Sequence, residues 1–184
     1  MKYKSKKIII ILLLLTVLLG SITCISAADN TTTTTNNNIV SVNDTTTNFS
    51  VNNNTFYLDS TNTSYTNLSD AYNAATDNDN IIIGAGTYTG NGNIGLNLSK
   101  NLTISADMNK TVIFDATNSA TSILTITNYT TVTLTGLTFI NVNNTESFHG
   151  TGAIMNMGNL NVNYCTFANN TAITGGAIEN YYGN

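Results

Sequence analysis

A repeat inside the chain constrains its fold more than any other feature. Gly152-Ala153-Ile154-Met155-Asn156 returns as Gly176-Ala177-Ile178-Glu179-Asn180, 24 residues later. Thr138-Phe139-Ile140-Asn141 returns as Thr166-Phe167-Ala168-Asn169, 28 residues later. The four-residue difference requires an insertion in the first copy, and Asn144-Thr145-Glu146-Ser147-Phe148-His149 is the natural place, because loops absorb length changes. A period in the twenties, with several very short strands in each copy, is the signature of a solenoid. One copy cannot bury its own apolar face, whereas copies stacked about 4.8 Å apart bury a continuous core.

That register makes definite pairs. Ile154 is expected near Ile178 and Phe139 near Phe167, with Asn156 over Asn180 and Asn141 over Asn169 forming amide ladders along the stack. The rest of the sequence agrees. After Ile81-Ile82-Ile83 and its glycine turn come short apolar runs at Ile94–Leu98, Leu102–Ile104, Val112–Phe114, Ile123–Ile126, Val132–Leu134, Leu137–Ile140, Ala153–Met155, Leu160–Val162 and Cys165–Phe167. No long helical pattern separates them, which disfavours an α/β fold. One short helix is predicted from Leu68, Ala71, Tyr72 and Ala75, with Ser69 as N-cap and a role capping the first rung.

The composition now has a use. Of 184 residues, 32 are Asn and 33 are Thr. Asn and Gly tolerate left-handed backbone at turns, and Thr suits the solvent side of a strand. These features predict an all-β parallel β-helix over residues 56–184. A β-sandwich would need longer, hairpin-linked strands and would not repeat residue for residue.

The N-terminus has a different character. Lys2, Lys4, Lys6 and Lys7 precede the apolar run Ile8–Leu19, and Ser26-Ala27-Ala28 follows it. This pattern predicts a secretory signal peptide over residues 1–28, cut before Asp29. The apolar run is short for a membrane span of roughly 20 residues, so no transmembrane segment is expected beyond the signal. Residues 29–55 form an Asn/Thr-rich tract with too few apolar side chains to offset ordering, and read as a flexible stalk. Sequons there begin at Asn30, Asn43, Asn48 and Asn53, the expected first places for glycosylation of a secreted chain.

Beyond residue 28, Lys100 and Lys110 stand against ten acidic residues, a formal charge of −8 with no Arg. Such a surface has no footprint for nucleic acid. Cys165 is the only Cys there, which leaves no disulfide framework and no Cys-based metal site.

Gly175 to Asn180, with the strand Cys165 to Asn170, resembles the Gly-Gly-Ala-Ile-x-Asn repeats of polymorphic outer-membrane proteins and related adhesins. The arrangement is closer still to adhesin-like surface proteins of methanogenic archaea. It shares with them Leu68-Ser69-Asp70-Ala71 through Gly86-Thr87-Tyr88, Lys100-Asn101-Leu102-Thr103-Ile104 and Leu134-Thr135-Gly136-Leu137-Thr138-Phe139. The resemblance covers residues 64–184. It implies a right-handed helix, display at the cell surface and adhesion, with no catalytic residue to carry over. Because such proteins continue through further rungs, it also implies a helix incomplete at its C-terminal end.

β-Helices also host polysaccharide lyases and hydrolases, whose acid/base work needs paired carboxylates. Asp77 and Asp79 fail as a calcium loop, because Ile81 falls at a ligand position, and read as turn residues. Asp107 and Asp115 flank one strand, with Lys110 between them, but nothing in the sequence pairs them. His149 has no second His, and Cys165 has no His partner other than His149. Tyr57, Tyr65, Tyr88, Tyr129, Tyr164, Tyr181 and Tyr182 offer stacking faces for sugars or proteins, and also read as covers for rung edges. The sequence singles out none of them.

These observations predict a secreted, non-catalytic surface protein without metal or cofactor. It would attach to a host or neighbouring cell surface, to glycans or to cell-wall polymers. The alternative is a polysaccharide-degrading β-helix enzyme, pectate-lyase-like or a glycoside hydrolase.

Overall fold

Alternation in tiny strands is what builds the core. In Leu96–Leu98, Leu124–Ile126 and Thr131–Thr135 every second side chain is buried. Isolated three-residue strands would not survive in water, so the buried faces must be completed by neighbours. The computed structural model describes residues 50–117, 119–145 and 150–184, and in it they form a parallel β-helix. The signal peptide, the stalk up to residue 49, Asn30, Asn43, Asn48 and His149 lie outside the described residues.

Three sheets run along the helix. The first stacks β3 (Asp79–Ile83), β6 (Leu102–Ala106), β9 (Thr131–Thr135) and β13 (Asn159–Asn163) in parallel. The second stacks β4 (Gly86–Tyr88), β7 (Val112–Asp115), β10 (Leu137–Ile140) and β14 (Thr166–Ala168). The third stacks β5 (Leu96–Leu98), β8 (Leu124–Ile126), β12 (Ile154–Asn156) and β16 (Ile178–Asn180). A two-residue ladder joins β11 (Asn143–Asn144) to β15 (Thr171–Ala172).

Each sheet contributes columns of side chains to the interior. In the first, Ile81, Ile104, Leu134 and Val162 are successive partners, at offsets of 23, 30 and 28 residues. Turns absorb the unequal offsets, so the column stays in register. In the second, Tyr88, Phe114, Phe139 and Phe167 form an aromatic ladder. Phe114 and Phe139 stack at 5.6 Å and 12°, and Phe139 and Phe167 at 5.2 Å and 16°. Tyr88 donates its hydroxyl to Gly84 O at 2.8 Å, and burial pushes its pKa up to about 12.

The third sheet changes chemistry along its length. Leu98 and Ile126 are followed at the same inward position by Asn156 and Asn180. Asn156 is only 2% exposed, and its Nδ2 donates to Asn180 Oδ1 at 2.7 Å. The pairs Ile154 with Ile178 and Phe139 with Phe167 also sit as the repeat requires. The Asn141–Asn169 ladder does not form as an amide pair. Asn141 Nδ2 donates instead to Asp115 on the preceding rung, and it is Asn170 that bridges, accepting from Val142 N and donating to Phe139 O. Asn141 and Asn169 both have left-handed backbone, which turns their side chains to a different task.

The insertion is bracketed by the two registers. Asn144 pairs with Ala172 at an offset of 28, whereas Ile154 pairs with Ile178 at 24, so the four extra residues fall between Asn144 and Ile154. Beyond it, Gly152 lies so close to the next rung that a Cβ would come within 2.2 Å of two carbonyl oxygens, those of Gly175 and Gly176. Ala153 is fully buried, Ala177 is exposed, and Gly176 and Ile178 are half-buried.

The expected helix is present as α1 (Leu68–Ala74), with Leu68 and Ala71 buried. Its N-cap is Asn67, not Ser69: Asn67 Oδ1 accepts from Asp70 N at 2.9 Å. Lys100 closes its other end, donating to the carbonyls of Tyr72, Asn73 and Ala75. The free edge of β3 is covered by another element. There β1 (Phe56–Leu58) pairs antiparallel with β3 on one side and with β2 (Thr63–Tyr65) on the other. Residues 50–55, assigned in the sequence to the stalk, also touch the helix: Val51 is buried and its amide donates to Asp107 Oδ2.

Candidate functional site

The outer face of the first sheet is the most distinctive surface of the described residues. Because side chains alternate, the residues between the buried columns point to solvent: Thr103 and Ser105 on β6, Thr131, Thr133 and Thr135 on β9, and Asn159, Asn161 and Asn163 on β13. They form rows across the rungs. Asn159 Nδ2 lies 3.4 Å from Thr131 Oγ1, Asn161 Nδ2 lies 3.3 Å from Thr133 Oγ1, and Thr131 N donates to Asn101 Oδ1. None of these side chains is ionisable. The face is a flat array of amides and hydroxyls.

Exposed tyrosines border this array. Tyr129 precedes β9, Tyr164 follows β13, and Tyr182 follows β16; they are 99%, 94% and 87% exposed. Each also has left-handed backbone, with φ of 64°, 53° and 62°. The other left-handed non-glycine positions are Asn54, Asn62, Asn78, Asn109, Asn141 and Asn169, as expected of Asn. A bulky side chain is disfavoured there by about 1–2 kcal/mol, and a fully exposed ring gains nothing from burial in return. Local folding therefore gives no reason for Tyr129 and Tyr164, whereas the Tyr182 ring packs edge-on against Tyr181 at 4.5 Å.

Two hollows accompany the tyrosines. One, of about 880 Å³, has Ile82, Ser105, Thr135 and Gly136 on its floor and Tyr164 at its rim. One wall is the turn between β6 and β7, which spans residues 107–111, whereas the same corner of the next rung is Gly136 alone. The other hollow, of about 380 Å³, lies between Tyr129 and Tyr182, over Gly158 and Asn159.

The acidic candidates from the sequence have other tasks. Asp107 is buried, accepting from Ser50 Oγ and Val51 N on one oxygen and from Met108 N on the other, so it ties the incoming chain to the 107–111 turn. Asp115 accepts from Thr117 Oγ1 and N and from Asn141 Nδ2; these bonds, that from the Thr117 hydroxyl foremost, hold its pKa below the usual carboxylate range. Asp77 accepts from Asn101 N, and Asp79 is held ionised chiefly by the Thr76 amide, as turn residues should be. Asp107 and Asp115 thus have separate hydrogen-bond partners and do not form a pair. Burial pushes the Cys165 thiol up, away from nucleophilic use. Among the described residues no group of three His, Cys, Asp or Glu could hold a metal ion, and no helix is long and apolar enough to cross a membrane.

Of the seven candidate tyrosines, Tyr57 and Tyr88 are buried, Tyr65 is half-buried and packs on the core, and Tyr129, Tyr164, Tyr181 and Tyr182 face solvent. The repeat register held a signal for one of them. Tyr164 falls where the previous rung has Gly136, whereas Tyr129 shares a turn column with Gly158 without being aligned with it. An aromatic aligned with glycine at a solenoid corner marks a side chain kept for something other than packing.

The chain is thus a parallel β-helix with an uncharged amide-hydroxyl face edged by exposed tyrosines. No protein-family model, no curated protein and no solved structure matches it.

Proposed function

We propose that this chain is a non-catalytic, adhesin-like surface protein that attaches to cells, glycans or surface polymers through the outer face of the first sheet. The observation that carries this reading is the placement of three exposed tyrosines at left-handed turns bordering that face. A repetitive scaffold suits the role, because each rung offers the same face again and weak contacts add along its length. The signal-peptide pattern at residues 1–28 supports display outside the cell.

The test sets attachment against turnover. Labelled protein is applied to intact neighbouring cells and to a glycan array, and the same preparation is incubated with neutral and acidic polysaccharides while reducing ends and unsaturated products are followed. Retention on cells or glycans without product supports attachment. Product release that disappears in Asp115→Asn would establish the polysaccharide-degrading alternative instead.

A further inference from the structure

We infer that the hollow between Tyr129 and Tyr182 is a binding slot for one pyranose ring of a neutral polysaccharide whose chain runs across the strands of the first sheet. This rests on the attachment reading above and names the ligand class for its binding face.

The slot is made by one column of turns. Tyr129 lies on the turn entering β9, Gly158 on the turn entering β13, and Tyr182 on the corresponding turn after β16. Their backbones follow one another rung by rung: Asn159 N donates to Thr130 O, and Asn184 N donates to Gly158 O. The two tyrosines therefore stand two rungs apart, roughly 9.5 Å, or twice the strand spacing. The middle rung contributes Met157 and Gly158 to the floor of the hollow, and a Cβ at Gly158 would lie 2.4 Å from Thr130 O and 2.6 Å from Thr127 O, so the floor stays low there. The space between the two phenols, with the apolar Met157 beneath it, suits one saturated ring.

The lining selects the ring's chemistry. Asn128, Asn159 and Asn184 add amide donors and acceptors, and no ionisable group other than the two phenols lines the hollow. Lys100, the basic residue at the same corner on an earlier rung, is committed to three helix carbonyls and to the ring of Tyr72 at 4.7 Å. An anionic ligand would thus find no cation here and would meet a strongly acidic chain. A neutral sugar matches both surfaces: its C–H face stacks on tyrosine, and its hydroxyls bond to the amides. The rows Asn159–Thr131–Asn101 and Asn161–Thr133 continue the same polar chemistry at the rung spacing of about 4.8 Å, close to the advance per sugar of an extended polymer. This favours a polymer over a free monosaccharide.

The test uses substitutions that should help the fold while removing the rings. Asn accepts left-handed backbone more readily than Tyr, so Tyr129→Asn and Tyr182→Asn remove the stacking faces without strain. The full chain, produced in a host without N-glycosylation, is titrated calorimetrically with cellohexaose, mannohexaose, chitohexaose and hexagalacturonate. At least one neutral hexaose is expected to bind, with affinity falling about tenfold in each Asn variant and retained in Tyr129→Phe. The melting temperature of Tyr129→Asn, whose ring makes no packing contact, should equal or exceed that of the parent. No binding by any neutral hexaose, preference for hexagalacturonate, or unchanged affinity in the Asn variants would overturn the slot. Cell retention is measured on the same proteins. Retention that persists equally in both Asn variants removes the slot and leaves attachment standing, whereas hexaose binding without retention on cells keeps the slot and removes attachment. Tyrosine-dependent retention that survives periodate oxidation of cell-surface glycans would overturn the inference in favour of a protein partner.

Discussion

The first and last described rungs are built from the same repeat and end in opposite ways. At the first, β1 pairs antiparallel along β3, and its own Phe56 and Leu58 are fully buried. At the last, Leu160, Phe167 and Ile178 occupy inward positions yet are only half-buried, and Val162 is 36% exposed. The side chains hardly differ in type, so burial here depends on having a neighbour above and below. In a solenoid an apolar residue acquires most of its stabilising value from the adjacent rungs.

Phe139 and Phe167 turn that contrast into measurements. They are register partners in one ladder, but Phe139 is sandwiched between Phe114 and Phe167, while Phe167 has a ring on one side. Phe139→Ala should destabilise by about 3–5 kcal/mol, the usual cost of emptying a fully buried aromatic site. Phe167→Ala should cost about 1 kcal/mol, in proportion to the smaller area it buries. Urea unfolding of the two variants decides it. Equal costs would mean that the last rung is packed as tightly as the interior and that the contrast is false.

A smaller effect is expected where the core turns polar. Asn156 sits above Ile126, and a leucine there would extend the aliphatic column. Yet Asn156 Nδ2 donates to Asn180 Oδ1 and Asn184 O, while its Oδ1 accepts from Gly158 N. Asn156→Leu should therefore destabilise by about 1–3 kcal/mol, because it leaves the buried Gly158 amide and the Asn180 carbonyl without their partner. It should also loosen residues 180–184, visible as faster amide exchange there. A stabilised variant would show that the amide clasp contributes nothing to the last rung.

Between the two ends, Asp115 joins β7 to the next rung through Asn141. Its bonds with Thr117 and Asn141 lower its folded pKa, so below about pH 4, where the unfolded chain takes up the proton first, the unfolded state binds more protons. Stability is then present above that pH and is lost as pH falls through the folded pKa. Asp115→Asn should lower the melting temperature at neutral pH, with the gap to the parent narrowing in acid. A gap that does not change with pH would remove the charge from the explanation.

The stacking of rungs and the pairs Ile154 with Ile178, Phe139 with Phe167 and Asn156 with Asn180 were legible because the repeat repeats burial, and burial controls which residues stack. Legibility failed where local hydrogen bonding decides. The cap belongs to Asn67 because its side chain reaches the Asp70 amide, a matter of one residue in helix start. The β1–β2 hairpin lacks any counterpart later in the chain, so no repeat could reveal it. The site was the least legible part. Apart from Tyr164, whose alignment with Gly136 marks it, tyrosines that pack and tyrosines that project look alike until the backbone angle at each turn is known. Tyr88 is only 4% exposed, while Tyr129 is 99% exposed.

The mildest prediction tests that distinction at Tyr164, the rim of the other hollow and the left-handed counterpart of Gly136 at its corner. Were the ring structural, as Phe167 is, replacing it would weaken the last rung. Were it retained for contact, Tyr164→Asn should stabilise the chain slightly, by about 1 kcal/mol, since Asn relieves the left-handed strain and no buried area is lost. Thermal melting of unglycosylated protein reads the sign directly. A rise in melting temperature combined with poorer retention on cells would show a residue held against its own backbone preference for the sake of binding. A fall would place Tyr164 among the packing residues and confine the candidate face to the corner of Tyr129 and Tyr182.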